Sequence, residues 1–518
     1  MISAWSVADV RAAEASAMES LPDGELMARA ARGLATVLMA RAAEIEAPRV
    51  VALVGSGGNG GDTLYALARM AKKVDRDVAG LAAVLVSDEG AHEGGLSSAR
   101  EAGVHVVDLA GIAAPTSVDD PALENPAAAL GEAIDLVAEA DLVVDGITGI
   151  GGRPGWGGSS ADRCRLLFEA VADDAYVVAV DLPSGADPAG LVVDSEGVWA
   201  DETVTFGVAK PVHLLRTADR CGVLTVVDIG LEMRTVPVAE RLSHDAVAAL
   251  WPLPGPEDDK YSRGVLGVVA GGETYPGAAV LAVTAAVCAG AGMVRYVGPP
   301  TVTERVQAAV PEAVGMGRVQ AWLVGPGLDV DPESEADIAH LTTAREALDA
   351  GVPCVVDAGG LDLLDGPRPR SGARTLLTPH AGELARLLSR LEDTQVSAED
   401  VRAEPIGHAR RAADALHATV LLKGATTYVV APSVSGLPVR ACAEAPAWLA
   451  TAGSGDVLAG IAGTLLASGL DPYDAASVAA TVHGLAGHAA CPGGPVRALD
   501  VAHAIGPSVA ALLRRAAH

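Results

Sequence analysis

Four short polar clusters carry side chains that could do chemistry. The first, Gly55-Ser-Gly57-Gly58-Asn59-Gly60-Gly61-Asp62, lies between a strand-like and a helix-like segment. Gly55, Gly57 and Gly60 satisfy the GxGxxG spacing of a dinucleotide-binding turn. Two features oppose a conventional NAD dehydrogenase. Asp62 brings a carboxylate to the helix N-terminus, where the pyrophosphate would bind. No acidic residue stands about 20 positions on at the end of the next strand, where the first candidate, Asp88, is too distant. Asn59 and Asp62 are better read with two further clusters, DGITGIGGRPG from Asp145 to Gly155 and DLPSG from Asp181 to Gly185. Asn and Asp oxygens converging there could hold a hard monovalent cation, while glycine backbones admit a ligand closely. Asp145 and Asp181 could instead cap helices that follow strands. Together, at strand ends of one sheet, they favour function.

The fourth cluster, TAGSGDVLAG from Thr451 to Gly460, is a glycine-rich turn opening a helix, whose free amides form an anion hole for phosphate. Asp456 at that helix start could merely complement the helix dipole. Beside a polyphosphate it would be a base placed to take a hydroxyl proton. Four neighbours decide the context: Lys423-Gly424-Ala425-Thr426-Thr427, Thr378-Pro-His380-Ala-Gly-Glu383, Gly325-Pro-Gly327, and Gly271-Gly272-Glu-Thr-Tyr275-Pro-Gly277-Ala278. Each follows a strand-like segment. His380 can be a packing histidine or a site residue on this evidence.

The elements that must position these clusters follow one rhythm. Arg49–Val54, Leu81–Val86, Asp141–Val144 and Tyr176–Val180 are continuously apolar, as buried parallel strands are. Helical patterns such as Thr63–Lys73 alternate with them, which predicts a layered α/β fold. Two Ala/Glu/Arg-rich helical stretches in residues 1–48 should pack on this sheet, and Pro121–Ala129 reads as a surface loop. The rigid segment Trp251-Pro-Leu-Pro-Gly-Pro256 follows a pause. A second series then runs through Gly264–Ala270, Ala321–Val324, Pro353–Asp357, Arg374–Thr378 and Thr419–Lys423. The boundary falls at about 240, giving domains 1–238 and 239–518. Ligands bind at the carboxyl ends of strands in open parallel sheets, where all four clusters lie.

The chain of 518 residues carries 37 basic and 66 acidic side chains, a formal charge of −29. That field repels nucleic acid and anionic membranes. Six cysteines, Cys164, Cys221, Cys288, Cys354, Cys442 and Cys491, show no CxxC pair and read as reduced cytoplasmic thiols. Asp9, Arg11 and Glu14 occupy the place of a signal peptide's apolar run. Thr274–Val294 has no charged residue, but its Ala/Gly content predicts a buried core helix rather than a membrane span.

In the first half, GGNGGD, DGITGIGGRPG and DLPSG, in that order over residues 5–235, resemble the NAD(P)H-hydrate epimerase family, with Gly58 and Thr63 standing where its loop has Asn and Gly. The resemblance implies a Rossmann-like three-layer domain with Asp181 as the acid/base group. It makes Gly58, Asn59, Gly60, Gly61 and Asp62, with Gly149, Ile150, Gly151, Gly152, Arg153, Pro154 and Gly155, substrate contacts. Asn59, Asp145 and Ser184 would bind K⁺. In the second half, KYSRG, GGETYPGA, GPGL, TPHAGE, LKGATT and TAGSGDVLAG over 245–515 resemble the ribokinase-like NAD(P)H-hydrate dehydratase family. There Lys423, Gly424, Ala425, Thr426, Thr427 and the stretch from Pro446 through Gly453, Ser454 and Gly455 would hold ADP or ATP with Mg²⁺. Ala278, Gly327, His380 and the catalytic Asp456 would meet the hydrated dinucleotide. Both halves together imply repair of hydrated NADH and NADPH: R and S hydrates are epimerised, then the S epimer is dehydrated with release of phosphate. The Ala/Gly-rich helices leave room for a homo-oligomer. The rivals are a small-molecule kinase with an accessory dinucleotide-binding half, and a non-catalytic binding protein in the first half.

Overall fold

The computed structural model describes residues 1–73, 79–115, 127–366 and 374–516. It divides into two compact units, Ser3–Ala239 and Glu240–His518 with Met1–Ile2. Residues 121–126 of the expected surface loop lie outside the described residues. The end of that loop is corrected: Ala128 and Ala129 open the helix Ala128–Ala138.

The first unit is built on seven parallel strands in the order His105–Asp108, Gly80–Leu85, Arg49–Val54, Leu142–Gly146, Tyr176–Val180, Glu202–Phe206, Val223–Val227. Val50, Ala52 and Val54 face one core with the helices Glu25–Ala42 and Gly58–Lys73. Val51 and Leu53 face a second core with the helices Ala128–Ala138 and Ala161–Glu169. Three layers follow from that two-sided burial, worth about 1.5–3 kcal/mol for each fully buried Val or Leu. The chain winds outward from Arg49–Val54, then returns to lay Leu142–Gly146 on its other side. Strand order therefore reverses between these two, and a crevice opens beyond their carboxyl ends. The loops 55–58 and 147–155 sit there.

The second unit carries a ten-stranded mixed sheet, in the order Ile2–Ala4, Ala239–Arg241, Val439–Cys442, Thr427–Val430, Thr419–Leu422, Thr375–Leu377, Cys354–Val356, Ala321–Val324, Val265–Val269, Met293–Tyr296. From Thr419–Leu422 to Met293–Tyr296 all pairings are parallel, and the Thr427–Val430/Val439–Cys442 hairpin adds antiparallel ones. Here the reversal falls between Val265–Val269 and Ala321–Val324. The uncharged stretch forms the helix Pro276–Cys288, packed in the core with Ser454–Ala467 and Ala498–Ala516, and then the strand Met293–Tyr296. No helix among the described residues is long and apolar enough to cross a membrane.

Several strands escape the apolar-run reading for identifiable reasons. Glu202–Phe206 is fully buried yet carries Glu202, Thr203 and Thr205. Their polar groups are satisfied inside: Glu202 pairs with Arg41 at 2.7 Å, and Thr203 donates to Cys221 O at 2.7 Å. Val223–Val227 and His105–Asp108 are edge strands with half-exposed or exposed positions.

Candidate functional site

In the first unit a cavity of about 500 Å³ opens at the switch point, lined by Gly58, Asn59, Asp62, Ile147, Thr148, Gly149, Ile150, Gly151, Gly152 and Asp181, with Glu14 and Met27 across from them. The three clusters of the first half thus converge. Asp181 ends its strand at φ +67°, a left-handed conformation uncommon for a residue with a side chain. Three contacts hold it there. Lys210 Nζ donates to Asp181 Oδ1 at 2.6 Å, Thr205 Oγ1 donates to the same oxygen at 3.0 Å, and His213 Nε2 lies 2.8 Å from Asp181 O. Lys210 also donates to Thr205 Oγ1 and Phe206 O. Burial opposes ionisation of Asp181, but the Lys210 ammonium outweighs it, and the carboxyl sits below its ordinary value. Burial pushes the neighbouring His213 down to about 4, with Lys210 adding to the effect.

Asp62 is shifted in the opposite sense, toward its protonated form. It is buried, its Oδ1 has no hydrogen-bond partner among the described residues, and it lines the cavity. Burial first, then the charges of Asp181 and Glu14, push its carboxyl well above the ordinary range. Burial raises Glu14 as well. Thr148 Oγ1, also in the cavity wall, is a second buried polar atom without a partner among the described residues. Buried polar groups are normally paired, so a ligand that completes both belongs here.

Asp145 and Asp181 cap no helix. Asp145 ties two loops together instead. Its Oδ2 accepts from Ser184 N at 2.7 Å and its Oδ1 from Ser184 Oγ at 2.6 Å, while Ser184 Oγ accepts from Thr148 N at 3.0 Å. Burial raises Asp145 to about 6, the Ser184 hydrogen bonds pulling the other way. The Asn59 amide nitrogen donates to Thr148 O and Val180 O at 2.9 and 2.6 Å. Turning that amide over would set its oxygen beside those two carbonyls, a donor set suited to a hard monovalent cation. Thr63 donates to Asn59 O at 2.7 Å, anchoring that residue from the next turn.

Other expected contacts sit elsewhere. Gly60 and Gly61 face inward, Gly61 against the His92 ring. Arg153, Pro154 and Gly155 are not among the residues lining the cavity. Gly155 N instead donates to Gly185 O at 2.9 Å, seating the 145–155 loop on the DLPSG turn. Sequence reasoning missed Lys210, Thr205, His213 and Glu14.

In the second unit the loops again meet at strand ends. Gly327, at φ +63°, lies so near Ala278 that a side chain at 327 would fall 2.6 Å from the Ala278 Cβ. Lys423 Nζ donates to Asp357 Oδ1 at 2.8 Å and lies 3.6 Å from Glu383 Oε2. A side chain at Gly455 would fall 3.2 Å from that ammonium, so the 453–455 turn borders Lys423. The helix Ser454–Ala467 starts there behind the left-handed Gly453, placing Asp456 in its first turn. Burial, then the Asp357 charge, raises Asp456 to about 7 against the pull of Lys423. Burial depresses Lys423, but Asp357 and Glu383 outweigh it and its ammonium is held above the usual value. Ser454 Oγ lies 3.2 Å from Nε2 of the buried His483, which burial lowers to about 4.

His380 has a capping task, its Nδ1 accepting from Gly382 N and Glu383 N at the start of Ala381–Glu392. Gly424, Ala425 and Thr426 form the turn after Lys423, and Thr427 starts the hairpin strand. Asp357 and His483 were missed. Asp357 is an acid ending an apolar strand, the signal that marked Asp145 and Asp181. Such a unit can bind a polyphosphate at its amides and ammonium and remove a proton beside it.

Comparison with known proteins gives two family matches. Residues 23–212 match the family described as YjeF-related protein N-terminus, and residues 266–493 match NAD(P)H-hydrate dehydratase. The chain is 44% identical over 487 residues to the bifunctional NAD(P)H-hydrate repair enzyme Nnr of Mycobacterium tuberculosis, covering 91% of each chain. It is 42% identical to that of Mycobacterium leprae, covering 92% of each, and 31% identical to that of Escherichia coli, covering 93% of this chain and 88% of the relative. A crystal structure of an ADP/ATP-dependent NAD(P)H-hydrate dehydratase from Bacillus subtilis, co-crystallised with ATP/Mg²⁺, covers 52% of this chain and 97% of its own at TM-score 0.45 and 24% identity.

Proposed function

The chain belongs to the family of bifunctional NAD(P)H-hydrate repair enzymes, and from that premise we propose how each unit does its part of the repair. Its first unit is the epimerase, working at the cavity of Asp181 and Asp62. The hydrate is a hemiaminal, with a hydroxyl on the ring carbon next to nitrogen. Asp181, held anionic by Lys210, takes the hydroxyl proton. The carbon–nitrogen bond breaks, and protonated Asp62 returns a proton to the ring nitrogen. Rotation of the resulting aldehyde and reclosure on its other face restore both protons and invert the centre. Environments that drive two carboxyls in opposite directions mark the acid and the base, and that opposition inside one cavity is the observation carrying this reading. Asn59, Asp145 and Ser184, with Thr148 O and Val180 O, would hold K⁺, which would fix the two loops and lend positive charge to the pocket floor.

The second unit is the nucleotide-dependent dehydratase. Asp456 takes the proton of the S hydrate's hydroxyl as its oxygen attacks the terminal phosphorus of ADP or ATP. Lys423 and the amides around Gly453, Ser454 and Gly455 bear the phosphate charge. Ala278, Gly327 and the loop at His380 form the wall for the dinucleotide, and the 423–427 turn borders the nucleotide. Mg²⁺ enters with the nucleotide phosphates and offsets their charge. Phosphate then leaves with the carbon–oxygen electron pair, pushed by the ring nitrogen, and loss of a neighbouring ring proton restores the double bond. A cytoplasmic setting suits six cysteines in the reduced state. A homo-oligomer, testable by sedimentation, completes the proposal.

Asp181→Asn tests the division of labour. Epimerisation of purified R hydrate should stop while dehydration of S hydrate continues. Epimerisation at the wild-type rate would remove Asp181 as the base. Accumulation of a stable phosphorylated product, in place of reduced dinucleotide and free phosphate, would favour the kinase alternative.

A further inference from the structure

Beside the epimerase cavity lies a second one, of about 510 Å³, that none of the sequence clusters accounts for. The two share Met18, Leu26 and Met27 as a common wall. Tyr65, Arg69 and His92 form the far side of the second cavity. Asp62, Tyr65 and Arg69 recur at i, i+3 and i+7 along the helix Gly58–Lys73, so one helix face joins the two compartments. Seven residues of helix rise about 10 Å, a span on the scale of the distance between the two ends of a dinucleotide.

The chemistry of that far end is specific. The Tyr65 and His92 rings meet edge to face, 5.7 Å between centroids. Both are seated by neighbouring backbone. The Tyr65 hydroxyl passes so close over Gly94 that a side chain there would fall 2.5 Å from it, and His92 Nδ1 accepts from Gly95 N at 3.1 Å. Arg69 is half-buried and makes no ion pair among the described residues, in a chain with 66 acidic side chains to choose from. Asp23, on the exposed rim, is the one acidic residue in the cavity wall. Apolar walls, two aromatic rings and a guanidinium with no ion pair among the described residues are what a purine nucleoside bearing a phosphate requires.

We propose that this cavity holds the adenosine end of the hydrated dinucleotide, with Arg69 on its ribose phosphate, so that the first unit favours NADPH hydrate over NADH hydrate. The assignment rests on the epimerase reading of the adjoining cavity. Leu21, also in the wall, gives an independent handle because a larger side chain there takes up cavity space while the Arg69 guanidinium is retained.

The test follows epimerisation of the R hydrates of NADH, NADPH and reduced nicotinamide mononucleotide by the full-length chain. A charge-assisted contact to phosphate is worth about 1.5–3 kcal/mol, so Arg69→Gln should raise KM for NADPH hydrate about tenfold or more and that for NADH hydrate less than about threefold. Leu21→Trp should raise KM for both dinucleotides. Neither penalty should persist with the mononucleotide, which has no adenosine end. Unchanged KM for NADPH hydrate in Arg69→Gln, with the enzyme active, overturns the subsite alone. A penalty of equal size on the mononucleotide overturns it too. A wild-type chain that epimerises none of the three would remove the epimerase reading and the subsite with it.

Discussion

Replacing Lys210 by Met should unbalance Asp181 in a way that pH exposes. The Lys210 and Asp181 side chains are 1% and 7% exposed, so neither charge can turn to water. Removing one partner of such a pair costs about 3–5 kcal/mol, because the other charge stays buried. In the wild type the Asp181 carboxyl is held below its unfolded value. Its contribution to stability is therefore present above an unfolded pKa of about 3.9 and is lost as pH falls through the folded one. In the variant burial acts without the ammonium, and the folded pKa moves above the unfolded one. The sign then reverses: the variant is least penalised near pH 4 and loses stability as pH rises, by at most about 1.4 kcal/mol per pH unit for one proton. The gap between the proteins should widen from pH 4 to 7. Hydrogen exchange at the amides of Glu202–Phe206, beside the pair, reads the opening free energy of this unit without interference from the other. Epimerisation at pH 7 should fall at least about a hundredfold, since the base is then largely protonated. A loss below about 1 kcal/mol that does not vary with pH would refute the reasoning.

Three further outcomes follow from particular contacts. Asp62→Asn should lower epimerisation at least about a hundredfold. It should also stabilise the unit above pH 5, because a buried carboxyl whose pKa is raised loses stability as pH rises, and thermal melts at pH 5 and 8 check the sign. The dehydratase kcat/KM should fall tenfold per unit below about pH 7, where Asp456 takes up its proton; an acid limb centred near pH 4 would show that another group is the base. Gly327→Ala should destabilise the second unit by about 1–3 kcal/mol, from overpacking against Ala278 and the left-handed backbone, seen as a lower Tm.

The loops of the site were legible because glycines and acids terminate apolar runs, and an open parallel sheet leaves few places for such turns to go. Strand ends alone brought Asn59, Asp62, Asp145, Asp181 and Ser184 together. Lys210 gave no comparable signal. It stands 29 positions after Asp181 in a segment without periodicity, and only the buried strand Glu202–Phe206 carries it under the carboxylate. That strand was itself hidden by Glu202, Thr203 and Thr205, which bond Arg41, Cys221 and Asp181 from other elements. His483 lies inside the helix Pro472–Ala490, where nothing local distinguishes a ring that meets Ser454 from a core histidine. Arg153, Pro154 and Gly155 show the opposite case. The motif was recognisable, but Gly155 spends its amide on Gly185, so its fixed spacing reflects loop packing as much as ligand contact.

The most direct test of the account is the return of the near-ultraviolet absorbance of reduced nicotinamide from a mixture of R and S NADH hydrates with ADP, Mg²⁺ and K⁺, read faster than the epimers interconvert unaided. The wild-type chain should recover all of the NADH, Asp181→Asn only the share of the S epimer, and Asp456→Asn none. No recovery by the wild type with either ADP or ATP, or full recovery by Asp456→Asn, would contradict it.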